Sequence, residues 1–550
     1  MTTPRRVPAS QRLPTLPRRC PLALSITALI LSGALVSHAQ AQAFPAVINL
    51  GSLNGANGFR LDGAAAGDFS GYSVSAAGDI NGDGLGDLIV GAHLADPNGT
   101  NSGSSYVVFG KNTPFAATLA LPSLNGTDGF RLDGAASDNS SGRWVSAAGD
   151  INGDGRDDLT IGAPLADPNG TNSGSSYVVF GKSTEFAATL TLSALNGTNG
   201  FRLDGVAADD RSGRSVSAAG DINGDGRDDL IVGAYRADPN GSQSGSSYVV
   251  FGKNTPFAAT LALSALNGSD GFRFDGVAAE DFSGRAVGAA GDINGDGEDD
   301  LIVGAFQADP NGSQSGSNYV VFGKDTPFAA TLALSALNGT DGFRLDGAAA
   351  ADISGYAVRA AGDINGDGLD DLIIGAFGAD PNGSQSGSSY VVFGKNTPFA
   401  ATLALSALNG TDGFRLDGAA VSDVSGLSVS AAGDLNDDGL DDLVIGAPFA
   451  DPNGSYSGSS YVLFGKTSPF AATFALSALN GANGFRLDGV AADDRSGISV
   501  SSAGDINGDG VDDLIVGAHF ADPNGSNSGS SYVLFGHRSE SIFANGFEGN

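Results

Sequence analysis

The chain has 550 residues, with 61 acidic side chains against 28 basic ones and a formal charge of −33, a balance that argues against nucleic acid as a partner. Glycine accounts for 84 residues, while aromatic residues are 8% and apolar residues 41%. That is apolar content enough for a packed core, which excludes both a collagen-like chain and a disordered acidic one.

In chain order, the first 43 residues read as a secretory signal peptide. Arg5, Arg6, Arg12, Arg18 and Arg19 precede an apolar run from Pro21 to Val36, followed by Ala39-Gln40-Ala41-Gln42-Ala43. A run of about 16 residues is short for a bilayer span, and the small residues behind it suit cleavage near Ala41 or Ala43. An uncleaved anchor is the other reading of the same segment. The expected location is secreted, cell-surface or periplasmic, without stable membrane insertion, since no other segment approaches the length of a span. Removing residues 1–43 takes away five arginines and no acids, so the remaining chain has 23 basic residues and a charge of −38. The only cysteine, Cys20, leaves with the signal. An exported protein without disulfides needs another means of holding its fold.

From residue 44 to 536 the chain is one repeat. Gly78-Asp79-Ile80-Asn81-Gly82-Asp83-Gly84 recurs every 71 residues, with its first Asp at 150, 221, 292, 363, 434 and 505. A period this long implies one supersecondary unit per copy. Within the first copy four strands are expected: Gly71–Gly78, Asp87–Ala92, Ser104–Phe109 and Gly129–Gly134, separated by stretches rich in Gly, Asn, Asp and Pro. The second is an unbroken apolar run, Leu88-Ile89-Val90-Gly91-Ala92, as befits a strand covered on both faces. Ala116 to Leu124 is too short for a stable helix and reads as a connector. Seven four-stranded antiparallel sheets that need neighbours on both faces close as an all-β, seven-bladed β-propeller. An open solenoid would need polar capping repeats, and none is seen. The repeat starts at Phe44-Pro45-Ala46-Val47 in the connector and stops in a third strand, Tyr532 to Phe535. Ring closure therefore requires Phe59 to Asp62 to supply the missing outer strand of the last blade.

The sequence Asp79-x-Asn81-x-Asp83-Gly84-x-x-Asp87 puts oxygen side chains at positions 1, 3, 5 and 9 around a glycine turn. Hard oxygen ligands on a tight loop suit Ca²⁺, with the carbonyl at position 7, Leu85, completing the set. The equivalent ligands are Asp150, Asn152, Asp154, Arg156 (carbonyl) and Asp158; Asp221, Asn223, Asp225, Arg227 (carbonyl) and Asp229; Asp292, Asn294, Asp296, Glu298 (carbonyl) and Asp300. The last three copies supply Asp363, Asn365, Asp367, Leu369 (carbonyl) and Asp371; Asp434, Asn436, Asp438, Leu440 (carbonyl) and Asp442; Asp505, Asn507, Asp509, Val511 (carbonyl) and Asp513. Up to seven Ca²⁺ ions are expected; a set of Asx-turns without metal is the alternative. Position 8 is Gly86 in the first copy and Asp in the others, expected to face solvent. An EF-hand is excluded because Val90 stands at position 12.

The unit from Ser70-Gly71 through Gly78-Asp79-x-Asn81-Gly82-Asp83-Gly84-x-x-Asp87 to Gly91-Ala92 resembles the FG-GAP repeat of the integrin α-subunit propeller and of many exported bacterial proteins. The resemblance covers about 90% of the chain. It implies seven blades with Ca²⁺ held between the first and second strands, the metal loops on one face of the disc and the remaining inter-strand loops on the other. The chain departs from the family pattern at Ser70, where the first Phe would stand, and shows Gly-Ala-Pro only at 162–164 and 446–448.

The opposite loops vary after Gly-Ala: His93-Leu94, Pro164-Leu165, Tyr235-Arg236, Phe306-Gln307, Phe377-Gly378, Pro448-Phe449 and His519-Phe520. They form either a contact surface for an extracellular protein or glycan, or packing at the strand ends. Arg143, Arg214 and Arg285 share one position of consecutive copies, as a basic spot or as charges balanced by nearby acids. Trp144, the sole tryptophan, belongs to an innermost strand, either plugging the channel or packing locally. The six lysines equivalent to Lys111 read as solvated. His93 and His519 become neighbours on closure, as a second metal site or as surface residues.

No catalytic constellation stands out. The leading expectation is a non-enzymatic propeller for adhesion or extracellular recognition. The alternatives are a glycan-binding or hydrolase-associated propeller and a purely structural envelope component. Residues 537–550 leave the repeat as a C-terminal tail.

Overall fold

Residues 44–538 are described by the structure, a computed structural model; the signal segment with Cys20 and the tail beyond Arg538 lie outside the described residues. Each period yields its four expected strands. In blade one, Ser73–Gly78, Asp87–Ala92, Ser104–Val108 and Gly129–Asp133 pair antiparallel in that order. The second strand is buried along its whole length, because neighbouring blades cover both of its faces. The inner strands pack in cyclic order, with Ser73–Gly78 between Trp144–Gly149 and Ser499–Gly504. The Ser73 hydroxyl accepts from Val145 N (3.2 Å), and across the closure Ser499 accepts from Val74 N (3.1 Å).

The apolar cores lie between blades. One joins Phe59, Ile515 and Val533 of blade seven to Val74, Leu88 and Val90 of blade one. Such close approach explains a glycine in the second strand: a methyl on Gly91 would collide with the carbonyl oxygen of Gly142 in the next blade.

The blades have five strands rather than the four expected. Each connector forms a three-residue strand and a 3₁₀ turn, Thr118–Ala120 and Leu121–Ser123 in the first copy. Thr118–Ala120 pairs in parallel with Gly58–Asp62, on the outer edge of blade seven. The connector thus leaves its own blade, seals the edge of the preceding one and returns as its own blade's fourth strand. Sealing removes the unpaired hydrogen-bonding row of an edge strand. Phe115 of the connector stacks on Phe59 with centroids 4.3 Å apart, and Phe186 stacks on Phe130 at the same distance. The lysines are not simply solvated: Lys111 Nζ lies 4.5 Å above the Phe115 ring, and its equivalents repeat the contact.

Ring closure follows the expected route. Gly58–Asp62 pairs antiparallel with Ser530–Leu534, with Phe59 opposite Val533 and Arg60 opposite Tyr532. A second tie accompanies it, since Val47–Asn49 seals the edge of blade six against Arg486–Asp488.

Candidate metal centre

Seven acidic loops, one per blade, connect first strands to second strands. The carboxylate of Asp79 gathers the turn by accepting from Gly82 N (2.7 Å), Asp83 N (3.0 Å) and Gly84 N (2.8 Å). Gly82 and Gly84 have φ of 75° and 86°, a region open to glycine without steric cost. In the sixth copy Asp437 enters the same region at φ 55°, which Asp tolerates better than most side chains. Asp83 stands exposed at the tip and accepts from Leu85 N (3.0 Å).

Asp87 lies at the base of the loop, fully buried. It accepts from Gly110 N (2.8 Å) and Ile80 N (3.2 Å), so one carboxylate ties the loop to both the second and third strands. The Asn81 amide faces it at 3.4 Å. Burial pushes Asp87 up to about 8; the charges of Asp83 and Asp79 add to the effect and the Gly110 amide opposes it. Asp158, Asp229, Asp300, Asp371 and Asp513 are raised to about 8 by the same causes, and Asp442 well above its ordinary value. None of these buried acids has a basic partner among the described ion pairs; the cations near the loops instead meet position 5 or the spacer, as in Arg227–Asp225 (3.0 Å) and Arg538–Asp437 (3.0 Å).

The loops therefore bring positions 1, 3 and 9 onto one turn and leave position 5 at the surface. Among the described residues, no group of three or more His, Cys, Asp or Glu side chains is gathered as a metal cluster, because the Asp79 oxygens are engaged by backbone amides. The donor set nonetheless fits a hard cation in its chemistry: three carboxylates and an amide oxygen per loop, with no internal counter-charge for the buried acid. In the sixth loop the Asn436 Oδ1 is buried without a hydrogen-bond partner.

Position 8 corrects the expectation of a solvent-facing charge. Asp157 Oδ2 accepts from Asp79 N (2.7 Å) in the preceding loop, and Asp228, Asp299, Asp370, Asp441 and Asp512 repeat this link from blade to blade. The seventh side-chain link is missing because the first copy has Gly86, which keeps only the backbone bond, its N–H donating to the Asp505 carbonyl (3.1 Å) as the Asp157 N–H does to that of Asp79 (3.4 Å). Replacing Asp299 by Ala is expected to cost about 1–2 kcal/mol, whereas Asp299→Asn, which keeps an acceptor oxygen, should cost less than half as much; urea unfolding of the two variants measures the difference.

At the opposite face the variable loop residues are buried or half-buried. His93 and His519 do approach one another's surroundings: both contact Tyr72, at 4.5 and 5.3 Å, and Phe69. They are buried, not surface residues, and burial lowers both, His519 to about 3. No third ligating side chain joins them among the described residues. Trp144 packs locally against Arg214 while also lining the central cavity.

The FG-GAP repeat model matches residues 70–108, 141–179, 212–250, 283–321, 354–392, 425–463 and 496–534. Similar proteins include integrin alpha pat-2 of Caenorhabditis briggsae, 30% identical over 255 residues, 44% of this chain and 18% of that protein. Integrin alpha-IIb of Mus musculus is 32% identical over 187 residues, 32% of this chain and 16% of its own length. Integrin alpha-PS2 of Drosophila melanogaster is 28% identical over 226 residues, 39% and 15% respectively. The matched stretch thus spans less than a fifth of each of these relatives. Among the described residues no helix is long and apolar enough to cross a membrane.

Proposed function

Because the chain belongs to the FG-GAP repeat family, we propose that it is an exported, calcium-stabilised propeller that recognises an extracellular protein or glycan without transforming it. The observation that carries the calcium part is the set of seven buried carboxylates, Asp87 and its equivalents, each raised by burial and each without a basic partner. A Ca²⁺ ion in each loop would supply the missing positive charge and brace the turn. Its holders would be the side chains of positions 1, 3, 5 and 9, as in Asp79, Asn81, Asp83 and Asp87, with the position 7 carbonyl. Export rests on residues 1–43. Recognition rests on the resemblance to integrin α-subunits and on the loop face opposite the acidic turns, which carries aromatic side chains and a cluster of three arginines.

Titration calorimetry of the protein beginning at Phe44 checks the calcium part: binding of close to seven Ca²⁺ is expected, and an absence of calcium binding would refute it. Surface binding that is lost in chelator, with the captured ligand recovered unchanged, is the result expected for recognition; turnover of the ligand would refute the non-enzymatic reading.

A further inference from the structure

The inner strand of each blade begins at the face opposite the acidic loops. The residue preceding it in successive copies is Tyr72, Arg143, Arg214, Arg285 and Tyr356, then aliphatic in the last two. Three arginines thus crowd one sector of the channel mouth between two tyrosines. The Arg214 guanidinium lies 3.5 Å from the Trp144 ring; Arg285 lies 4.1 Å from Tyr356 and 5.5 Å from Trp144; Arg143 lies 5.3 Å from Tyr72.

Among the described ion pairs these arginines balance no acid. Arg214 is 7% exposed and one of its terminal nitrogens has no hydrogen-bond partner. Burial, then Arg285, push its ionisation down. On a chain with 61 acids, an uncompensated buried cation beside two others is costly unless an anion from outside completes it. Stacking on aromatic faces leaves the in-plane N–H donors of a guanidinium free for a carboxylate. The adjoining cavity, about 120 Å³, is lined at this end by Tyr72, Trp144, Arg285 and Tyr356, and deeper by serines such as Ser73 and Ser215. Of the three arginines only Arg285 is on its wall; Arg214 stacks on Trp144, which is. It has room for one small ring, not for a folded partner. Aromatic faces, hydroxyl walls and the Arg285 guanidinium together suit a sugar that bears a carboxylate better than a bare phosphate, which has no use for the aromatic faces.

We propose that this channel mouth binds a carboxylated sugar residue of the uronate type, with Arg285 engaging the carboxylate, Arg214 adding its charge from beside Trp144, and Trp144, Tyr72 and Tyr356 packing on the ring. The inference rests on the recognition reading above and narrows its ligand to an acidic glycan.

Trp144 is the only tryptophan in the chain, so its fluorescence reports on this site alone. Calcium-loaded protein is titrated with sodium glucuronate, glucose, sodium phosphate and an acidic hexapeptide. A saturable change with glucuronate is expected, with the other three at least about tenfold weaker, the scale of one lost charged hydrogen bond. Arg285→Met should weaken glucuronate by about tenfold or more without lowering the melting temperature, Arg214→Met should weaken it less, and Arg285→Lys should restore binding only in part. No saturable change, equal or tighter response to phosphate, peptide or glucose, or unaltered affinity in Arg285→Met would overturn the proposal. Failure of calcium binding or of chelator-sensitive surface binding refutes the proposed function instead, and leaves the tryptophan titration standing.

Discussion

Chelation is expected to lower the melting temperature by about 10 °C. With a dissociation constant of about 0.1 mM per loop and about 1 mM Ca²⁺, binding to the folded state alone contributes about 1.4 kcal/mol per site, or about 10 kcal/mol over seven sites. A propeller of roughly 500 residues has an unfolding entropy of about 1 kcal/mol per kelvin, which converts that figure into the stated shift. The metal-free state is penalised further. Burial, with the charges of positions 1 and 5 adding to it, raises Asp87 and its equivalents to about 8, so without metal they must fold protonated or carry an unfavourable buried charge, and either costs stability at neutral pH. Differential scanning calorimetry in excess EDTA against calcium measures the shift, and superimposable curves would refute the calcium reading. The effect should be spread over the ring, because the position 8 carboxylates couple each loop to the next.

The propeller was legible because its signals are local and repeated: an apolar run for the buried strand, glycine and Asx residues for each turn, and a period that places the same unit seven times. The parts that sequence reading missed are contacts between copies. Thr118–Ala120 is three residues long, half exposed, and pairs with a strand of another blade, so no alternation within its own stretch marks it as a strand. Phe115 did carry a signal, an aromatic kept at one place in a connector, and its purpose is to stack on a phenylalanine of the neighbouring blade. Position 8 was misread for a similar reason, since its partner lies 78 residues away. The clue was Gly86: the one copy lacking the Asp is the one whose preceding loop lies across the closure. The acidic loops were legible in their residues and not in their geometry, because whether a carboxylate turns toward amides or toward an ion does not follow from spacing. At the channel mouth the three arginines were visible as equivalent positions, but their lack of acidic partners depends on which loops surround the ring.

Deleting residues 44–62 is expected to abolish the cooperative melt of the whole ring. That segment supplies the fourth strand of blade seven and the fifth strand of blade six. Phe59 and Leu61 are fully buried, and their removal alone costs about 1.5–3 kcal/mol each. The five residues paired with Ser530–Leu534 are lost as well, which leaves an apolar edge strand open to pairing with other chains. The closure core between blades seven and one loses one wall, so the deletion should aggregate or melt in more than one step. A permuted chain separates this topological claim from a mere loss of mass. Phe44 stacks on His537 with ring centroids 3.8 Å apart, so residues 44–62 moved behind Arg538 through a short Gly/Ser linker can reach the same edge. The permutant should melt in a single step within a few degrees of the parent, whereas a deletion variant that kept the parent's transition would show that the ring is not held by this clasp.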